Sequence, residues 1–128
     1  MKIVSSLDSA SADLYSFAFA DVPFDVKRAY WIQNFVPDSV RGNHAHRKLN
    51  QMMILLKGSL DIELKRGEIG NERRLQVPGE CVHIPSATWR SFSSTDTQTV
   101  ILVLADRIYE PEDYIRNFND YLEWFKGQ

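Results

Sequence analysis

The stretch "HAHRKLNQMMILLKGSLDIELK", residues 44–65, decides the fold class. In its second half Leu60, Ile62 and Leu64 alternate with Asp61, Glu63 and Lys65, the period-two pattern of a half-buried strand. In its first half, "MMILLK" (52–57) within the candidate strand "NQMMILLK" (50–57) is nearly all apolar, which predicts a strand covered on both faces. Gly58 supplies the turn between them.

Outward from this hairpin the same grammar repeats. "LYSFAF" (14–19), "VKRAYWI" (26–32), "ERRLQV" (72–77), "CVHIP" (81–85), "WRSFSS" (89–94) and "TVILVLA" (99–105) are β-branched and aromatic segments separated by turn residues. An all-β barrel or sandwich in a single domain, residues 1–128, is therefore expected. "TVILVLA", like "MMILLK", should be covered on both faces, by an opposing sheet and by another chain or the terminal helix, so dimerisation is expected too. Only the end departs from this pattern. Tyr114, Ile115, Phe118, Tyr121, Leu122 and Phe125 follow helical spacing, and Pro111, Glu112 and Asp113 suit a first turn.

Composition narrows the class of partner. A formal charge of -2 with both signs interspersed argues against nucleic acid or an anionic membrane, and any anionic ligand must be held by a few local arginines. No segment approaches the roughly 20 apolar residues that span a bilayer, the first residues lack an apolar signal core, and the single cysteine, Cys81, suits a reducing compartment. A cytoplasmic location is the expectation.

Two of the three histidines, His44 and His46, stand one residue apart behind Arg41-Gly42. On a strand they share one face, with Ala45 on the other, so both imidazoles can work on one ligand. His83 is alone in its strand, where a structural role is favoured, and Cys81 reads as a small core side chain.

Spacing sharpens the signal. His44, His46, Gln51 and Gly58 resemble the first motif of the cupin β-barrel, in which a glutamate usually occupies the Gln51 position. "IPSATWR" (84–90) resembles the second, with Ala87 at a glycine and Arg90 at a histidine. A neutral amide is a poor cation ligand and a guanidinium has no lone pair to give. The metal site reads as lost, leaving a polar pocket suited to acid/base chemistry.

Four further stretches, "FDVKRAYWI" (24–32), "RGNHAHRKLNQ" (41–51), "IPSATWRSFSS" (84–94) and "VILVLADRIYEPEDYIRNFNDY" (100–121), together resemble the dTDP-sugar 3,4-ketoisomerases of the cupin superfamily. The resemblance implies a jelly-roll β-barrel with a short C-terminal helix, no metal and no cofactor. It further implies a dTDP-linked keto-deoxyhexose substrate, dTDP-4-keto-6-deoxyglucose, and a homodimer whose N-terminal strands are exchanged in some members. The 3-keto product would pass to a PLP-dependent aminotransferase in deoxyamino-sugar synthesis for surface polysaccharide such as lipopolysaccharide O-antigen.

The family's histidine pair maps onto His44 and His46 and its tyrosine onto Tyr30. A neutral imidazole can take a proton made acidic by a neighbouring ketone, and the enediolate that results needs donors. His44 is the expected base. His46 can return the proton, shuttle it or orient His44. Tyr30 can donate to an oxygen or relay a proton.

The substrate-binding candidates each have a second reading. Arg41 contacts the diphosphate or shapes a turn. Gln51 orients a histidine or a hydroxyl, or makes a barrel hydrogen bond. Arg90 binds the anion or points outward, and Trp89 stacks on a base or sugar or belongs to the core. Where the family often carries an Arg-Gly pair, this chain reads "SASADLYSF" (9–17), which keeps a catalytically silent nucleotide-sugar-binding module as an alternative.

Overall fold

The alternation of Leu60, Ile62 and Leu64 translates directly into structure: Leu60 and Ile62 are buried while Asp61 and Glu63 are partly exposed. The structure is a computed structural model that describes residues 2–128. Its strands are β1 (Ser5–Asp8), β2 (Asp13–Ser16), β3 (Arg28–Ile32), β4 (Arg41–His46), β5 (Gln51–Lys57), β6 (Leu60–Arg66), β7 (Ile69–Leu75), β8 (Cys81–Ile84), β9 (Trp89–Ser93), β10 (Val100–Ala105) and β11 (Tyr114–Ile115). One helix, α1 (Phe118–Lys126), closes the chain.

All pairings are antiparallel. β3-β10-β5-β8 form one sheet and β11-β4-β9-β6-β7 a second, while β1 and β2 pair only with each other among the described residues. The two larger sheets face one another across a core that includes Met53, Leu55, Leu60, Ile62, Phe92, Ile101 and Val103. This is the expected all-β, cupin-like architecture with a C-terminal helix, except that the two sheets do not close into one barrel. β1, β4, which carries both histidines, and the two-residue β11 lie outside the eight strands read from the sequence.

β5 and β10 are indeed covered on both faces, but by different material than expected. Met52 and Ile54 of β5 and Leu104 of β10 turn away from the inter-sheet core and are buried against Val4, Val22 and Cys81, with Phe17, Phe24 and Val26 packed alongside. The chain's own N-terminal segment covers them. Burying side chains of this size stabilises by roughly 1.5–3 kcal/mol each, enough to hold an irregular segment in place.

The terminal helix lies on the other sheet. Ala45, Trp89, Ile115 and Tyr121 form its buried contact, with Phe118, Leu122, Trp124 and Phe125 around them. It is also shorter than its apolar spacing suggests. Pro111–Asp113 make a single tight turn, Tyr114 and Ile115 are extended, and α1 begins only where the Asn117 side chain accepts the Asp120 N–H at 3.0 Å. Tyr114 and Ile115 pair with His46 and Ala45 of β4. The tertiary pairing overrides the local helical pattern, and successive strand residues then face opposite ways. Ile115 goes under the helix and Tyr114 goes to the histidines.

Candidate active site

Strand parity assembles the site. On β5, Met53 and Leu55 point into the inter-sheet core, so Gln51 does as well. On β9, Phe92 points inward, and so does Arg90, whose partner across the ladder is His44. Gln51 and Tyr30 thus come from one sheet, and His44, His46 and Arg90 from the other. The turn at residues 47–50 carries the chain from one sheet to the other, which is why five positions separate His46 from Gln51 yet the two face each other's strands.

Glycine at position 42 has a specific reason. Its φ is 87°, where a Cβ would meet Arg90 O at 3.0 Å and the Phe92 ring at 3.2 Å. The ladder slips between Gly42 and His44, and Asn43 is also left-handed, with φ of 52°. This bulge re-aims His44.

The site opens into a cavity of about 650 Å³ whose lining includes Tyr30, Arg41, His44, Gln51 and Arg90, together with Arg28, Tyr114 and Arg116. Four arginines line it and no aspartate or glutamate does, among the described residues. Arg28 Nε is a buried donor with no protein partner among the described residues. Such a wall suits an anionic ligand.

Two hydrogen-bond chains converge here. In the first, Asp113 Oδ2 lies 3.1 Å from His46 Nδ1, His46 Nε2 lies 3.1 Å from His44 Nε2, and His44 Nδ1 lies 3.0 Å from Gly42 O. His46 is 2% exposed and Asp113 6%. The Asp113 carboxylate also accepts the backbone N–H groups of Lys48 at 2.8 Å and Leu49 at 3.2 Å. Arg47 locks the arrangement by donating to Glu112 O at 2.6 Å and Tyr114 O at 3.0 Å.

In the second chain Arg90 donates to Gln51 Oε1, and to Thr88 O at 3.1 Å through Nη2. That contact orients the amide so that Gln51 Nε2 donates to Tyr30 Oη at 2.9 Å. Among the described residues no protein acceptor takes the hydrogen of the Tyr30 hydroxyl, which is therefore available to a ligand. Gln51 and Arg90, the two departures from a metal-binding pattern, are bonded to each other. Among the described residues no cluster of three or more His, Cys, Asp or Glu is placed to hold a metal ion.

Burial and charge set the protonation states. His44 is held down to about 4, chiefly by burial and then by the Arg90 guanidinium. His46 is lowered too, by burial first, then Arg90 and His44. Burial and then Tyr114 push Tyr30 up, so it stays a phenol. At neutral pH the site holds neutral imidazoles able to accept a proton and a phenol able to donate one.

Trp89 does not join these residues. One position from Arg90 along β9, it faces the opposite side and is buried under α1, against Phe118 and Tyr121. Adjacent strand positions cannot share a face, so Trp89 and Arg90 were never able to line one pocket. Asp113 and Tyr114, by contrast, are site residues that the sequence reading assigned to a helix. Tyr114 packs its ring 4.2 Å from that of His46 and 5.0 Å from that of His44. The one signal for them was their place in "YEPEDYIR" (109–116), part of the family-like stretch.

Known proteins share the sequence pattern and fold of this chain. The family model described as FdtA, WxcM-like, C-terminal, matches residues 2–126. A TDP-4-oxo-6-deoxy-alpha-D-glucose-3,4-oxoisomerase from Aneurinibacillus thermoaerophilus is 33% identical over 104 residues, covering 81% of this chain and 75% of that protein. Among solved structures, QdtA, a sugar 3,4-ketoisomerase from Thermoanaerobacterium thermosaccharolyticum in complex with TDP, is similar with a TM-score of 0.91 at 33% identity, covering 98% of this chain and 93% of that one. The WlaRB TDP-quinovose 3,4-ketoisomerase from Campylobacter jejuni is similar with a TM-score of 0.85 at 31% identity, covering 94% of each chain.

Proposed function

The chain belongs to the WxcM-like, C-terminal family, and on that footing we propose that it is a TDP-sugar 3,4-ketoisomerase acting on dTDP-4-keto-6-deoxyglucose. The observation that carries the reading is the meeting of neutral His44, backed by His46, and an oriented tyrosine hydroxyl in one arginine-lined cavity. The arginines Arg28, Arg41 and Arg116 suit the diphosphate, with Arg90 deeper and tied to Gln51.

The reaction needs no outside oxidant. His44 removes the proton from carbon 3, next to the carbon 4 ketone, and the electron pair of that C–H bond becomes the C3–C4 double bond of an enediolate. The ketone oxygen takes up the displaced charge, and Tyr30 donates toward it. The hydrogen of the carbon 3 hydroxyl is lost to the oxygen at carbon 4, by way of Tyr30. The proton held by His44, exchanged with solvent in the interval, is then given to carbon 4 while carbon 3 becomes the ketone. Carbon 3 is oxidised, carbon 4 is reduced, and the histidine pair ends as it began.

A 3-keto sugar nucleotide is a ready substrate for a PLP-dependent aminotransferase, which fits deoxyamino-sugar supply for a surface polysaccharide in the cytoplasm. A homodimer fits the exposed β1–β2 hairpin, which carries Leu7, Leu14 and Tyr15 on its surface. The test is incubation with dTDP-4-keto-6-deoxyglucose in deuterated water, followed by NMR. Ketone migration to carbon 3 with deuterium gained at carbon 4 is the expected result. Tight binding without migration would overturn it in favour of a catalytically silent binding module.

A further inference from the structure

The chain Asp113–His46–His44–Gly42 contains three contacts between polar atoms, each of which needs one hydrogen. Two neutral imidazoles bring two. Asp113 is an acceptor toward His46, so one hydrogen sits on His46 Nδ1 and leaves His46 Nε2 a bare lone pair aimed at His44. His44 has one hydrogen for two acceptors, Gly42 O and His46 Nε2. It satisfies both only as an imidazolium, with a hydrogen on each ring nitrogen. The surroundings are thus shaped for His44 after it has taken a proton rather than before.

We propose that Asp113 is a positioning residue that, by fixing His46 as a lone-pair acceptor, builds a ready partner for the proton His44 takes from the substrate. The inference rests on the ketoisomerase reading only for where that proton comes from. It differs from a second base or a proton shuttle at His46: in this arrangement His46 never needs to touch the sugar, consistent with its absence from the lining of the large cavity. Binding energy appears only when charge develops on His44, the kind of contact that lowers a barrier instead of merely holding substrate.

The other groups facing the pair act in the opposite direction. Arg90 on β9, Arg28 on β3 and Arg116 after β11 are cationic and oppose the uptake of a proton, while Tyr30 on β3 stays a neutral phenol and the Tyr114 ring on β11 packs against both imidazoles. Burial first, and then these arginines, hold the pair neutral at rest. Among the described residues Asp113 is the one carboxylate hydrogen-bonded to it, and it reaches His44 through His46.

Long-range 1H–15N spectra of the histidine side chains test this in the unmodified protein, without substrate. At neutral pH His46 should show a protonated Nδ1 and an unprotonated Nε2, and on acidification both Nε2 resonances should move together as one proton is shared. A protonated Nε2 on His46, or two independent titrations, would overturn the proposal. Asp113→Asn presents an amide that can donate to His46 Nδ1. It should move the His46 hydrogen to Nε2 and lower kcat on the order of 10²-fold or more, with KM changed only a few-fold. A folded Asp113→Asn protein that loses activity with the His46 tautomer unchanged would make Asp113 a merely structural residue and refute the assignment. If that variant does not fold, the spectrum of the unmodified protein decides. The expected tautomers in a protein that moves no ketone would remove the sugar as proton source and leave the arrangement of the pair standing.

Discussion

Replacing Arg90 by methionine should stabilise the fold while impairing the site. The guanidinium is 1% exposed and its hydrogen-bond partners are the neutral oxygens of Gln51 and Thr88, with no carboxylate among them. Burial pulls its pKa from 12.5 down to about 10. For a base the sign is clear: a depressed folded-state pKa means that the folded protein holds the charge at a cost at every pH below about 10. The drop corresponds to about 3 kcal/mol against the fold at neutral pH. Methionine fills much of the same volume without the charge but strands two acceptors, at about 1 kcal/mol each, leaving a net gain on the order of 1 kcal/mol. For a domain of this size that is about 3–5 °C in Tm, readable by calorimetry and by urea unfolding. Because Arg90 is, after burial, the main group depressing His44, the His44 midpoint should rise from about 4 toward 6.5, and NMR titration reads it directly. A variant destabilised by 1 kcal/mol or more, or an unmoved His44, would refute the reasoning.

Other perturbations read the same geometry. Ala87 is left-handed, with φ of 65°, so Ala87→Gly should stabilise by about 1 kcal/mol, against the usual sign of that substitution; a lower urea midpoint would contradict the strain. His44 has a depressed pKa, so the unfolded chain binds a proton that the folded chain refuses between about pH 6.5 and 4. Stability should be full above that window and fall as pH drops through it, by up to about 1.4 kcal/mol per pH unit. His44→Gln should remove the His44 share of that slope and leave the share of His46, which is depressed too, and an unaltered slope would assign it elsewhere. Tyr30→Phe keeps the ring and removes the hydroxyl, so kcat on dTDP-4-keto-6-deoxyglucose should fall roughly 10²-fold with KM within a few-fold. Unchanged turnover would exclude Tyr30 as donor.

Local periodicity carried much of this in the sequence. A period of two places His44 and His46 on one face and Ala45 on the other, which holds in the structure, where Ala45 is sealed under α1. The chemical unfitness of Gln51 and Arg90 as metal ligands was equally legible, because it depends on side-chain type alone. Parity also barred Trp89 from the face of Arg90, a consequence of adjacency that the aromatic character of the residue obscured.

What residue order could not determine is which strands face one another and what lies far along the chain. Asp113 meets His46 across 67 positions, and the spacing of Tyr114, Ile115, Phe118, Tyr121 and Leu122 satisfies a helix as well as it satisfies a short strand followed by one. The choice was made by pairing with β4 and by the backbone N–H groups of Lys48 and Leu49, which find their acceptor in the Asp113 carboxylate. The sequence by itself determined which face of the strand the histidines share and that Gln51 and Arg90 are unfit as metal ligands, because both follow from local geometry and residue type. The tertiary structure alone decided that a distant carboxylate stands behind one histidine and an arginine-held amide behind the tyrosine, because burial satisfies polar groups with whatever the fold brings beside them.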